Sequence, residues 1–93
     1  MAFIKVVESR GEADYLVNEV QSRGEADLLV CKVDTKRDAL NNDDVWYFVD
    51  SRGEATSLVN FIDTRANADL LICYINNRGE SGWRDDHPLK GKL

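Results

Sequence analysis

The chain repeats one short phrase, and this repetition constrains the fold more than any other feature of the sequence. Residues 9–16 read SRGEADYL, and residues 22–29 read SRGEADLL. The phrase returns as SRGEATSL and TRANADLL in the second half of the chain. With a 13-residue period, the units begin at Ser9, Ser22, Thr35, Ser51, Thr64 and Asn77. A unit of this length cannot bury an apolar face alone, so the units must pack together. The sequence therefore predicts one domain over residues 1–93.

A longer period relates the two halves of the chain. More than half of the residues in the range 9–34 are identical to the residue 42 positions later. This duplication predicts a pseudo-two-fold molecule with three units in each half. It divides the domain into a first half of about residues 1–42, a second half of about residues 43–84 and a tail of residues 85–93.

The first part of each unit has the composition of a short helical turn. Ser9 stands three residues before Glu12, which is the spacing of a capping box. Arg10 stands four residues before Asp14, so one helical turn would bring their charges together. The glycine in the phrase weakens a longer helix. We therefore expect a single turn in which Ser–Glu and Arg–Asp contacts form within the unit. These repeated carboxylates are interpreted as capping groups.

The second part of each unit is typical of a β-strand that is buried on both faces. Residues 28–34, LLVCKVD, and residues 70–76, LLICYIN, are rich in β-branched and aromatic side chains. Apolar residues occupy both alternating sets of positions, so both faces need cover. An antiparallel meander would leave two edge strands, and it does not explain why the turn phrase is so uniform. We therefore predict a mainly β fold with short helical turns.

The charge balance disfavours nucleic acid as a partner. The chain has 12 Lys and Arg residues against 17 Asp and Glu residues, a net charge of −5, whereas nucleic-acid binding needs clustered cations. Five arginines nevertheless recur at one turn position, and they are Arg10, Arg23, Arg52, Arg65 and Arg78. Nucleic-acid binding through these arginines is the weakest of three functional hypotheses.

The sequence predicts a cytoplasmic protein without a membrane span. Residues 1–9, MAFIKVVES, lack the apolar core and cleavage site of a signal peptide, and no apolar run approaches about 18 residues. Cys31 and Cys73 face the side of their strands that carries apolar positions, so we expect two buried thiols. A disulfide between the halves is the alternative. Without paired cysteines or histidines at ligand spacing, no metal or cofactor is expected.

Aromatic side chains in the second half mark a candidate interaction surface. One strand position carries an aromatic residue in each strand of the second half, whereas the first half has Val6, Glu19 and Lys32 there. Such a row either packs within a small β core or forms a partly exposed contact surface. Trp46 and Trp83 are expected to plug or cap the core, and His87 is expected to lie exposed in the tail. The candidate surface comprises Phe48, Phe61, Tyr74, Trp83 and His87.

Taken as an array, these motifs resemble the septoil-knot domain family of small bacterial proteins. The resemblance rests on EADLLVCKVD, VWYFVDS, ADLLICYIN and the closing GWRDDH, and it covers residues 3–87. Two features differ from the family pattern: Asn18 and Asn60 stand where an aromatic side chain is expected, and residues 35–44 match the turn poorly. The resemblance implies a seven-crossing torus knot, although knots are nearly absent from proteins. Such a chain should fold and unfold slowly. The resemblance brings no catalytic residues.

Two further functional hypotheses are stronger than nucleic-acid binding. The first is a rigid, monomeric, non-enzymatic binding or structural module with a protein as its partner. It is motivated by the lack of a unique polar cluster, because the carboxylates recur with the architecture. The second is an enzyme or small-ligand site built from the segments that do not repeat, residues 41–44 and 84–87. A cleft that joins these two segments would favour the second hypothesis.

Overall fold

The computed structural model describes residues 2–40, 42–84 and 86–93 and consists mainly of strands with short helical turns, as predicted. The strands are β1 (Ala2–Val6), β2 (Tyr15–Glu19), β3 (Leu28–Lys32), β4 (Val45–Phe48), β5 (Ser57–Phe61), β6 (Leu70–Tyr74) and β7 (Gly82–Trp83). Single 3₁₀ turns lie at Arg10–Glu12, Arg23–Glu25, Arg65–Asn67 and Arg78–Glu80, and helix α1 spans Lys36–Ala39 in the longer third unit. Within the described ranges, no helix has the length and apolar character that crossing a membrane requires.

Six of the strands form a closed parallel ring. Their order is β4-β1-β5-β2-β6-β3, and β3 pairs again with β4. All pairings among these six strands are parallel, whereas β7 is antiparallel to β3. The antiparallel meander, which the uniform turn phrase disfavoured, is therefore not formed. Closure leaves no long unpaired edge, which is how a small sheet avoids pairing with other chains.

Each strand divides its hydrogen bonds between its two neighbours, and this stagger lets short strands close a ring. β2 pairs with β5 through Tyr15, Leu16 and Val17, and it pairs with β6 through Val17, Asn18 and Glu19. β3 uses its last residues to pair with β4, and its first residues pair with β7. A large stagger tilts the strands against the barrel axis, as closure requires.

The two halves of the chain interleave around the ring. β1, β2 and β3 alternate with β4, β5 and β6, so each strand lies beside its own counterpart. Tyr15, for example, is opposite Val59 on the neighbouring strand. A two-fold axis along the barrel would place counterparts across the barrel, and a perpendicular axis would reverse the strand direction. The two halves repeat the same strand pattern, but the expected two-fold axis does not relate them, because the second half fills the gaps that the first half leaves.

Short connections cover the outer face of the barrel. The connection between β2 and β3 begins with Val20 N–H bonded to Ile72 O at 2.8 Å and ends with Asp27 N–H bonded to Leu71 O at 2.7 Å. It therefore runs across β6, the strand between β2 and β3. Val20, Ala26 and Cys73 form a buried cluster there, with two half-buried leucines packed against it. Parallel strands usually need a longer crossover that contains a helix, and here one 3₁₀ turn suffices.

The centre of the inner face of the barrel is completely buried. Its central layer contains six residues with no exposed surface, and they are Ile4, Val17, Val30, Trp46, Val59 and Ile72. Trp46 fills the core as predicted, and its indole N–H donates to Asp43 O at 2.7 Å. The strands are apolar on both faces because the inner face packs on itself and the outer face lies under the connections. That arrangement confirms the predicted two-sided burial.

The repeated Asp of the turn phrase forms two hydrogen bonds to a neighbouring strand of the ring. Asp14 N–H donates to Leu58 O at 2.7 Å, and Asp14 Oδ2 accepts from Leu58 N–H at 2.9 Å. The same pair of bonds joins Asp27 to Leu71 and Asp69 to Leu16. We call this pair of bonds the Asp clamp. The predicted Arg–Asp contact within each turn is wrong, because the carboxylate is engaged by the neighbouring strand.

The Ser and Glu of the phrase also differ from the expected capping box. Ser9 Oγ accepts from the N–H of Gly11, two residues on, at 3.2 Å. Glu12 reaches a neighbouring connection and pairs with Arg52 at 2.7 Å. Equivalent ion pairs between connections are Arg65–Glu25, Arg23–Glu80, Arg78–Asp38 and Lys36–Glu54. The acids join neighbouring units because the connections lie side by side around the barrel.

Removing one Asp clamp should destabilise the fold. Asp14→Ala leaves Leu58 N–H without its acceptor, and we expect the free energy of unfolding to fall by about 1–2 kcal/mol. Asp14→Asn keeps an acceptor oxygen and should lower the free energy of unfolding by clearly less. Equilibrium urea unfolding at pH 7 measures both changes, with Glu8→Ala as an exposed carboxylate control. Equal losses for the Ala and Asn variants would contradict the clamp.

Candidate functional site

The parallel barrel has two unlike ends, and one of them carries the predicted aromatic row. The last inward-facing residue of each strand lies at the carboxyl end, and we call this set the carboxyl mouth. In order around the ring it consists of Phe48, Val6, Phe61, Glu19, Tyr74 and Lys32. Because the halves interleave, each aromatic ring stands between two residues of the first half.

The centre of the carboxyl mouth is apolar and partly open. Phe48, Phe61 and Tyr74 are half-buried and pack against the core. Phe48 meets the edge of the Trp46 ring, with the ring centroids 6.1 Å apart. Val6 is 45% exposed and is one of two large apolar residues with an exposed side chain among those described. The row is therefore both a layer of the core and an accessible surface.

Tyr74 lies at the polar side of the carboxyl mouth. Lys32 Nζ sits over its ring at 4.4 Å from the centroid, a cation–π contact from the neighbouring strand. Burial raises the pKa of the Tyr74 phenol well above its ordinary value, and the negative charge of Glu19 raises it further. The phenol is therefore a neutral hydrogen-bonding group at physiological pH.

Trp83 and His87 lie at the opposite, amino end of the barrel. Trp83 is opposite Leu28, the first residue of β3, and it packs against the core as a cap, as expected. His87 stacks on Trp83 with ring centroids 5.2 Å apart. Only 17% of its side chain is exposed, so the expected exposed histidine is wrong. The stacking and the 3.6 Å approach of Nε2 to Asp27 Oδ2 bury it. The five candidate residues thus form two separate groups.

The tail closes the amino end of the barrel. Leu93 is 3% exposed and belongs to the core cluster, with Leu89 packed beside it. Ser57 Oγ donates to Leu93 O at 3.3 Å. Asp43 accepts hydrogen bonds from the Trp83 indole N–H and from Gly91 N–H. Sequence reasoning missed these tail contacts, although two leucines in a charged tail were the available signal.

Asp43 and Asp44 of the first non-repeating segment contact β7 and the tail, whereas Arg84 and His87 of the second segment contact other parts of the fold. Trp83 Nε1 lies 3.2 Å from Asp43 Oδ2, and Ser81 Oγ donates to Asp44. Arg84 donates to two carbonyls of the second connection, those of Gly24 and Ala26. Asn41 and Asp85, which belong to the same hypothesis, lie outside the described residues.

An open cleft of about 500 Å³ lies beside the tail at the amino end. Its lining comprises Asp14, Tyr15, Ala68, Asp69, His87, Pro88 and Leu89. Asp14 and Asp69 both use Oδ2 in an Asp clamp, and His87 Nδ1 accepts from Leu89 N–H at 3.1 Å. Burial raises the pKa of Tyr15, and the nearby carboxylates, led by Asp14, raise it further. The cleft contains His87 but none of residues 42–44.

The remaining candidate groups are the two cysteines, any cluster of metal ligands and the recurring arginines. Cys31 and Cys73 are free and buried, so the disulfide between the halves is not formed. Within residues 2–40, 42–84 and 86–93, no three His, Cys, Asp or Glu side chains gather as metal ligands would. Four of the five recurring arginines pair with acids of neighbouring connections: Arg23, Arg52, Arg65 and Arg78.

Comparison with known families identifies the architecture. A family model described as the 7(1) septoil knot domain matches residues 1–84. The chain belongs to this family. The septoil knot domain thus includes the whole ring and β7, whereas the tail that closes the amino end lies beyond the match. Searches of curated proteins and of solved structures each found no match. The interleaved winding is consistent with a septoil knot, and the number of crossings in this chain stays a prediction.

Shortening the buried side chain of the tail should loosen the amino end. Leu93→Ala removes apolar contacts from the core, and we expect the free energy of unfolding to fall by about 2 kcal/mol. Lys92→Ala, an exposed neighbour, should change it by less than about 0.5 kcal/mol. Urea unfolding of both variants measures this difference. Equal effects would show that Leu93 is not part of the core.

The raised pKa of Tyr74 predicts a loss of stability at high pH. Below the ordinary tyrosine pKa of 10.0, the phenol is protonated in both the folded and the unfolded chain. As the pH rises above 10.0, the unfolded chain ionises first, so the folded state loses relative stability until its own pKa is passed. Stability measured from pH 9 to 11 should therefore decline more steeply for the natural protein than for Tyr74→Phe. Parallel profiles would contradict this.

Proposed function

We propose that this septoil knot domain is a rigid, non-enzymatic binding module whose carboxyl mouth contacts another protein. The observation that carries the proposal is the difference between the two ends. The tail covers the amino end, whereas Val6 stays 45% exposed at the carboxyl mouth, which also contains three half-buried aromatic rings. Aromatic side chains on a rigid frame are the residues that anchor protein interfaces.

The frame supports this role because it holds the mouth residues in place before any partner arrives. The six parallel strands form a closed ring, and the Asp clamps fasten the connections to it. Side chains fixed in advance lose little conformational freedom on binding. A preorganised surface therefore needs fewer contacts for a given affinity.

The shape of the mouth favours a protein over a small molecule. Phe48, Phe61 and Tyr74 fill the barrel at this end and pack on its core, so the mouth offers a surface and not a deep pocket. The cleft of about 500 Å³ lies at the other end. That cleft supports the alternative, a small-ligand site that includes His87 and Tyr15, and the experiment below separates the two.

We further propose that the protein acts as a monomer in the cytoplasm. Two buried free thiols suit a reducing compartment. Repulsion between like-charged copies at a net charge of −5 opposes self-association. Sedimentation of the purified protein as a single chain would support the monomer, and a dimer would contradict it.

A matched pair of lysine substitutions tests the binding surface. Val6 and Leu40 are the two exposed large apolar residues of the described chain, at 45% and 41% exposure. Val6→Lys alters the mouth, whereas Leu40→Lys makes the same change of charge after α1. We expect a partner that natural and Leu40→Lys baits capture from a lysate of the source cells and that Val6→Lys loses. Matched urea midpoints exclude misfolding. Identical capture by all three baits would contradict binding at the carboxyl mouth. A bound small molecule that the Val6→Lys variant retains would favour the small-ligand site in the cleft.

A further inference from the structure

A ring of polar residues surrounds the carboxyl mouth. The chain bends two residues after the mouth residue of each of the six strands, and all six bend residues are exposed. We call them the rim, and they are Glu8, Gln21, Asp34, Asp50, Asp63 and Asn76. Four of the six are carboxylates, two are amides and none is basic. The apolar centre of the mouth is therefore enclosed by acidic groups.

The rim carboxylates differ from the other repeated acids of the chain. Glu12, Glu25 and Glu80 pair with arginines of neighbouring connections. In contrast, the ion pairs found in the described part of the chain include none of the four rim carboxylates. The Asp clamps use other aspartates as well. The rim charges are thus not needed by the contacts that hold the barrel together.

The carboxyl mouth and its rim together carry an excess of negative charge. The four rim carboxylates and Glu19 give five negative charges against one positive charge from Lys32, a sum of −4. Like charges on one surface create a field that attracts cations and repels anions. The mouth therefore disfavours nucleic acid, anionic membranes and a second copy of itself.

We propose that the carboxyl mouth binds a basic peptide segment of another protein, with an apolar side chain at its centre and Lys or Arg on both sides. This inference rests on the proposed function and adds the chemistry of the partner. The apolar residue packs on Val6 and the aromatic rings. The flanking cations meet the rim, where carboxylates lie on several sides of the mouth. Charge complementarity of this kind sets specificity and speeds association.

Selection from a random library of 12-residue peptides tests the inference without knowledge of the natural partner. The full-length protein is the bait, and Val6→Lys serves for counter-selection. We expect the enriched peptides to combine an apolar residue with flanking Lys or Arg. One enriched peptide is then synthesised, and its dissociation constant is measured against the natural protein in low salt and in 0.5 M NaCl; the raised salt should weaken binding by screening.

A matched pair of double variants locates the electrostatic contribution. Asp50→Asn with Asp63→Asn removes two charges from the rim, and we expect binding to weaken by about five- to tenfold. Glu12→Gln with Glu25→Gln removes two charges from the connections and should weaken binding by less than about twofold. Urea midpoints confirm that both variants are folded, and the salt titration of the natural protein gives an independent measure.

The outcomes separate the inference from the function on which it rests. Basic peptides whose binding depends on Val6 and on the rim support both the inference and the proposed function. Neutral or acidic peptides that depend on Val6, or basic peptides that bind the rim variant unchanged, overturn the partner chemistry and leave the binding function standing. If no enriched peptide depends on Val6, both the inference and the proposed function are wrong.

Discussion

The pairing of β3 with β4 closes the parallel ring, and the rest of the structure depends on this closure. An open parallel sheet of such short strands would expose two edges and an uncovered face. Closure satisfies both sides of every strand and turns the inner face into a core that Trp46 and five aliphatic side chains fill. It also sends every connection across the outside of the barrel, because the inside is occupied.

The short connections explain the uniform phrase that the chain repeats. The connection between β2 and β3 lies directly on β6, the strand between them, so Ala26 at its inner side must stay small. Its Asp clamps a neighbouring strand, and its Glu and Arg reach the connections beside it. Residues that look like the parts of one turn are therefore contacts between turns. A single unit cannot form them, and this makes the fold cooperative.

The parallel direction of the strands makes the two ends of the barrel chemically different. The amino end receives the tail, with Leu93 in the core and His87 stacked on Trp83. The bends after the strands lie at the carboxyl end, where their carboxylates surround Val6 and the aromatic rings. A binding surface at one end can therefore change in sequence without disturbing the contacts that close the other.

The sequence by itself determined the mainly β fold, the short turns, the two-sided burial of the strands and the shared position of Phe48, Phe61 and Tyr74. Strand and turn conformation depend on nearby residues, so a local pattern records them. Only the tertiary structure decided that Asp14 clamps Leu58, that the halves interleave and that Trp83 and His87 lie far from the aromatic row. These contacts join residues more than 40 positions apart. The repeat gives each residue several locally equivalent partners, and closure of the ring decides which of them it contacts.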